Sequence, residues 1–261
     1  MLNLPTESRV LLSYSDGVAF ITLHAPDNRN ALNNAAWLNL AETCGVIARD
    51  VNVRLVVLRG TGAHFCAGAD IHELRANIQN TSWMMQNQVA VGAGLDAFAA
   101  LPQPTLAIIQ GACVGGGAAL AFSCDFRIAA DNLRLSITPA RLGLSYRLVD
   151  CLRVVRTVGH AHARELLLLA REIDAATALQ WSAVTALATP ENLNLAADDF
   201  IERLLNLSAT SQRAIKANLL KIGNGSTADD ANSMADFAAA FAQPDFANAA
   251  AKFVEKSSKT P

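Results

Sequence analysis

Cysteine is scarce and badly placed for any structural use. Cys44, Cys66, Cys113, Cys124 and Cys151 are odd in number, and no two stand at CxxC spacing. That argues against a disulfide framework and a cysteine-rich zinc site, and implies reduced thiols in a cytoplasmic protein. Charge is also sparse: 17% of the residues are Asp, Glu, Lys or Arg, and the net charge is −2. No stretch interleaves Lys and Arg with aromatics, so a nucleic-acid partner is not expected. Aromatic residues make up 6%, with Tyr14 and Tyr146 the only tyrosines. The first ten residues, MLNLPTESRV, lack the basic and apolar regions of a secretory signal. The longest apolar run, Leu106–Phe122, holds Gln110 and four glycines, which suits a core better than a membrane span. What the chain does have is apolar content, at 52% of 261 residues. That is enough to bury a substantial core in one large domain, or one domain with a small appendage.

Periodicity orders the chain. Val10–Tyr14 and Val18–Leu23 read as strands joined at Ser15-Asp16-Gly17, a hairpin signal. Asn30 or Asn33 is placed to cap a helix reaching about Arg49, with Trp37, Leu40, Val46 and Ile47 on its apolar side. Arg54–Gly60 and Thr105–Ile109 read as buried strands, and Phe126–Ala129 and Leu133–Ile137 as short ones. Asp70 to Arg75 suggests a helical turn, Asn77–Gln88 a mobile surface or lid, and 82–100 a helix stopping at Leu101-Pro102-Gln103-Pro104. From Val149 onward helical patterns dominate. Alternating strands and helices followed by a helical end read as α/β with a helical C-terminal extension.

Two stretches carry the chemistry. Thr61–Leu74, TGAHFCAGADIHEL, and Gln110–Phe122, QGACVGGGAALAF, each follow a buried strand and pass through glycines into a helix. Glycine admits positive φ and close approach, and a helix start offers unpaired N–H groups. Two such turns together can aim two N–H donors at one carbonyl oxygen, the apparatus that stabilises an oxyanion. Spacing alone leaves open the alternative that the glycines serve only tight packing. Other patterns carry nothing. Gly92-Ala93-Gly94-Leu95-Asp96-Ala97 matches GxGxxA but lies inside a helical pattern with no strand before it. GLSYR around Ser145 fails the GxSxG elbow at its last position. His160 and His162, two apart on a helix, do not share a face, so no metal is expected.

HAPDNRNALN, CAGADIHEL, GGGAALAFSCDFRIAA, ITPARLGLSY and TVGHAHARELLLLAREIDAATAL, in this order, together with the terminal FANAAAKFVEK, resemble the crotonase (enoyl-CoA hydratase/isomerase) superfamily. The resemblance spans nearly the whole chain. It implies a ClpP-like ββα spiral core over residues 1–200 and a helical C-terminal trimerisation region over 201–261, assembling as a homotrimer or a dimer of trimers. It implies an acyl-CoA substrate, with coenzyme A entering as part of that substrate and no separate cofactor. The family's oxyanion donors fall on the backbone N–H groups of Ala69 and Gly116. Arg29, Ala31, Leu32, Ala67, Asp70, Ile71 and His72 would line the CoA path, joined by Phe253, Lys256 and the neighbouring Lys252. For Asp70 and Glu73, capping and surface solvation are the simpler reading.

The two glutamates with which the family's hydratases handle water fall on Ala119 and Pro139, neither of which can transfer a proton. TPARLGLSY is similar to the methylmalonyl-CoA decarboxylase branch, where a tyrosine at the place of Tyr146 helps bind the acyl end. This chain differs from that branch in having Ala69 where the branch has histidine, and Ala119 where it has glutamate. The resulting expectation is a lyase acting through a thioester enolate, with decarboxylation of a malonyl-type CoA as the leading reaction. Enoyl-CoA hydration or isomerisation and a non-catalytic acyl-CoA binder are the alternatives. Trp83, Met84, Met85 and Val89 are expected in the acyl pocket wall.

Overall fold

A computed structural model describes residues 9–257, apart from the side chains of Ala249 and residues 252–257. Strands β1 (Val10–Ser15) and β2 (Val18–Leu23) form an antiparallel hairpin. Its turn residues Asp16 and Gly17 both have positive φ, 49° and 80°, the conformation whose twist matches that of paired strands. Helix α1 (Asn34–Arg49) begins after Asn33, whose side chain accepts the N–H of Ala36. Of the two asparagines, Asn33 is therefore the cap. Asn30 is buried in the preceding loop and has other work. The face Ala36, Trp37, Leu40, Cys44, Ile47 is buried at helical spacing.

β3 (Leu55–Gly60) leads to α2 (Ile71–Ala76) and α3 (Thr81–Ala99). The stretch expected as a mobile surface or lid is thus helical from Thr81 on, because the Asn80 side chain accepts the N–H of Trp83 and starts the helix. β4 (Thr105–Ile109) runs into β5 (Ala112–Val114), a strand that periodicity did not reveal, and then α4 (Gly116–Ser123). β6 (Phe126–Ala130), β7 (Arg134–Ser136) and α5 (Leu148–Leu168) follow. α5 is broken at Gly159, whose φ of 76° and ψ of 167° are not helical, so the helical patterns at Val149–Arg156 and His162–Ala170 lie on either side of the kink. β8 (Ile173–Asp174), α6 (Ala175–Gln180) and β9 (Ala186–Ala188) precede four helices, α7 (Leu193–Leu205), α8 (Ala209–Gly223), α9 (Ala231–Ala240) and α10 (Pro244–Ser257).

The strands form two sheets. The larger has the order β1-β2-β3-β4-β6-β9 and is parallel except for the first hairpin. The smaller has the order β5-β7-β8. Cys66 bridges Cys113 in parallel fashion, so the loop after β3 continues the small sheet's edge. The main core lies on one face of the large sheet, around Trp37, Phe65, Phe98 and Leu101. The other face packs against α7 through Leu193, Ala197, Ile201 and Leu204. Two buried cations tie elements together. Arg127 donates to the carbonyls of Ala121 and Cys124 at the C-terminal end of α4 and to that of Ala183. Lys216 of α8 donates to the carbonyl of Gln103 (2.8 Å) and to Asp125 (2.7 Å). Among the described residues, no helix is long and apolar enough to cross a membrane.

Candidate active site

The two glycine turns meet. Gly68 has a φ of 94°, and a Cβ on it would lie 2.7 Å from the carbonyl oxygen of Val114 and 2.9 Å from the nitrogen of Gly116. Only glycine fits that backbone conformation and that approach. Gly115 closes the second turn with a φ of 54°, and its N–H donates to the Ser136 carbonyl at 2.9 Å. Gly117 presses so closely on Cys66 that a Cβ would lie 2.3 Å from the Cys66 carbonyl oxygen.

This packing leaves two N–H groups over. Leu32 N–H donates to the Gly68 carbonyl (2.8 Å), and the Leu32 carbonyl accepts the N–H of Asp70 (3.0 Å). These bonds straddle Ala69, whose own N–H points away from the bridge. Gly116 is the first residue of α4, and Gly115 before it has no side chain to cap the helix. Among the described residues, no hydrogen bond uses the N–H of Ala69 or of Gly116. Both residues are half-buried. Ala119, one helical turn further along α4, is 3% exposed. Pro139 opens a short 3-10 turn, Pro139–Leu142, and the preceding Thr138 has its Oγ1 3.1 Å from where a Gly115 Cβ would lie. The two positions without carboxylates therefore flank the same glycine turn.

The loop from Arg29 to Leu32 runs beside residues 66–72. Arg29 is exposed with a φ of 50°, and its carbonyl accepts the N–H of Ala67. Asn30, also left-handed at 57°, is the hub. Its amide donates to the carbonyls of Thr61 (2.8 Å) and His64 (2.7 Å), and its Oδ1 accepts the N–H of Ala25 (2.9 Å). Ala31 and Leu32 are buried, Ala67 half-buried, and Ile71 and His72 exposed. Asp70 is buried and caps α2 through the N–H groups of His72 and Glu73, while Arg9 pairs with it at 2.5 Å. Burial works to raise its pKa, but these hydrogen bonds and the Arg9 charge prevail and lower it. Glu73 accepts the N–H of Asn34 at the head of α1, so the capping reading of both carboxylates holds. The side chains of Lys252, Phe253 and Lys256 lie outside the described residues. On α3, Trp83 and Met84 are half-buried, and Met85 and Val89 are exposed.

Tyr146, just before α5, packs against the main core. Its hydroxyl is buried with no hydrogen-bond partner among the described residues. Burial, and then the Asp150 carboxylate, hold this phenol far above its ordinary pKa of 10.0. Asp150 is 3% exposed, and burial raises its pKa against the opposing charges of Arg147 and Arg153. Asp150, Arg153, Asp96 and Arg147 form a closed ring of ion pairs linking α5 to α3. Sequence reasoning missed this ring, the Asn30 hub, and the role of Trp37 against Gly116. Each depends on partners more than thirty residues away, and no local pattern announces them. It also rejected Gly92 and Gly94 as a nucleotide motif, and in α3 they serve packing, Gly94 against Trp37 and Gly92 against Arg147.

The family model described as enoyl-CoA hydratase/isomerase matches residues 13–260. Among curated proteins, the short-chain-enoyl-CoA hydratase of Clostridium acetobutylicum is 29% identical over 254 residues, covering 95% of each chain. The (E)-benzylidenesuccinyl-CoA hydratase of Thauera aromatica is 28% identical over 222 residues, covering 83% of this chain and 86% of that one. Among solved structures, one described as an enoyl-CoA hydratase/carnithine racemase from Magnetospirillum magneticum superposes with a TM-score of 0.89 at 28% identity, covering 96% of this chain and 94% of that one.

Proposed function

The chain belongs to the enoyl-CoA hydratase/isomerase family, and from that premise we propose that it holds an acyl-CoA thioester with its carbonyl oxygen between the N–H groups of Ala69 and Gly116. The observation that carries this reading is the pair of backbone donors left over where Gly68 meets Gly116. Charge that develops on the thioester oxygen in an enolate is stabilised there, at about 3–4 kcal/mol for one donor. Arg29, Ala31, Leu32, Ala67, Asp70, Ile71 and His72 border the CoA arm. The acyl group extends toward Trp83, Met84, Met85 and Val89.

The reaction we favour is decarboxylation of a malonyl-type acyl-CoA. The bond between the α-carbon and the carboxylate breaks, carbon dioxide leaves, and the electron pair becomes the enolate. No general base is needed, which suits Ala119 and Pro139. The α-carbon then takes a proton from the Tyr146 hydroxyl, and the phenolate recovers one from water. A phenol held above its ordinary pKa is a weaker acid than a free one, yet it is protonated at neutral pH and so has a proton to give to a carbanion. Water addition to an enoyl-CoA is the second reading, favoured by the hydratase names of the relatives. It requires an acid and a base other than residues 119 and 139. Assembly as a homotrimer or dimer of trimers is part of the proposal. The exposed apolar side chains Ile215, Leu219, Ile222, Phe237, Phe241 and Phe246 on α8–α10 support it.

The test is incubation with malonyl-, methylmalonyl-, crotonyl-, longer enoyl- and 3-hydroxyacyl-CoA, read by mass spectrometry. Loss of carbon dioxide from a malonyl-type ester is expected. Gain or loss of water alone would move the assignment to hydration, and tight binding with no turnover of any ester would make the chain a non-catalytic acyl-CoA binder.

A further inference from the structure

Trp37 is 1% exposed, and its Nε1–H is buried with no partner among the described residues. Leaving a buried donor unpaired costs about 1–3 kcal/mol, so hydrogen bonding did not choose this indole or its orientation. Packing did. At one edge of the ring lies Gly94 of α3, where a Cβ would stand 3.0 Å from Cε3 and 2.9 Å from the Trp37 carbonyl oxygen. At the opposite edge lies Gly116, where a Cβ would stand 3.0 Å from Cζ2 and 3.3 Å from Cη2. The indole is thus a wedge between two glycines, at each of which an added Cβ would press on the ring and make it give by a few tenths of an ångström. Gly94 belongs to the helix that also carries Trp83, Met84 and Val89. Gly116 carries one of the two free N–H groups. α1 and α3 also form the most extensive helix pair of the fold, so Trp37 is held firmly from behind.

We infer that Trp37 is a positioning residue. Its indole fixes the Gly116 peptide relative to Gly68, so that the Gly116 N–H is aimed before substrate arrives, and it relays displacements of α3 to that donor. This inference rests on the oxyanion reading above. The physical basis is that donors stabilise a developing charge only when held in place beforehand, and that close-packed interiors transmit displacement because they have little free volume. A bulky acyl group that shifts α3 would therefore alter carbonyl polarisation through Trp37, making the same side chain a determinant of acyl selectivity.

The test uses the full-length protein with acetyl-CoA carrying carbon-13 at the thioester carbonyl. Wild-type protein should shift the bound carbonyl stretch to lower wavenumber, as two N–H donors polarise the bond. W37F retains an aromatic ring near Gly94 but ends short of Cζ2 and Cη2. It should lose about half or more of that shift while affinity for acetyl-CoA stays within about threefold, and kcat on a turned-over ester should fall roughly ten- to a hundredfold with little change in KM. G94A, which presses the indole from the other edge, should also displace the band, and it carries the test if W37F does not fold. A wild-type shift that survives intact in both variants overturns the role of Trp37 alone. Absence of the shift in the wild type overturns the oxyanion reading and this inference with it.

Discussion

At the donor end of the candidate site, Gly68 and Gly117 are held against backbone so closely that one added carbon would collide, and at Gly116 it would press on the Trp37 indole. At the other end, the two positions that would hold proton-transfer groups carry a methyl and a pyrrolidine, and the buried Tyr146 hydroxyl has no partner among the described residues. One end is over-determined and the other is stripped. The contrast separates two tasks that are easily treated as one. Stabilising an oxyanion uses backbone N–H groups, which any residue but proline carries, whereas acid–base chemistry depends on side chains that a single change removes. A site with the first and without the second suits a reaction that makes its own carbanion.

The largest effect is expected from breaking the donor end. G68A places a Cβ at a left-handed φ and against the Val114 carbonyl, and should lower kcat/KM on the turned-over thioester at least about a hundredfold. Activity within tenfold of wild type would show that the two turns do not form the hole. Next comes equipping the stripped end. A119E combined with P139E should raise hydration of crotonyl-CoA by about a hundredfold over wild type, followed by loss of enoyl absorbance. A flat result would mean that these positions do not face the acyl group. Y146F should slow product formation from a malonyl-type ester by roughly tenfold without lowering thermal stability, since the lost hydroxyl has no partner. A clear drop in melting temperature would instead expose a structural hydrogen bond. The smallest change at the site should come from K216M, which touches neither end. It should cost roughly 3 kcal/mol of stability in urea, discounted for the 32% exposure of Asp125, and leave turnover per folded molecule unaltered.

Much of this was legible in the chain, for reasons that can be stated. Thr105–Ile109 and Val18–Leu23 were found to the residue because buried parallel strands read as apolar runs. Val149–Arg156 and His162–Ala170 read as two helical patterns, and the structure joins them across a kink at Gly159. Ala69 and Gly116 were singled out because the resemblance names the turns, and spacing alone would have left packing as an equal account. β5, β8 and β9 escaped because strands of two or three residues are dictated by their partners and carry too few positions for a period. Trp37 was visible as core of α1, but nothing in its own neighbourhood says that its far edge meets Gly116.

Lys216 has a consequence for how the molecule comes into being. Asp125 Oδ2 accepts from Thr105, through N–H and Oγ1, and from Lys216. The carboxylate therefore clasps both ends of residues 105–125, the segment that carries Gly115, Gly116 and Gly117. The lysine that completes the clasp is made ninety residues later. During synthesis the glycine turn emerges, pairs its strands and waits, with the Asp125 carboxylate lacking its cation, until α8 leaves the ribosome. The candidate site is encoded in the middle of the chain, yet it matures among the last parts of the fold.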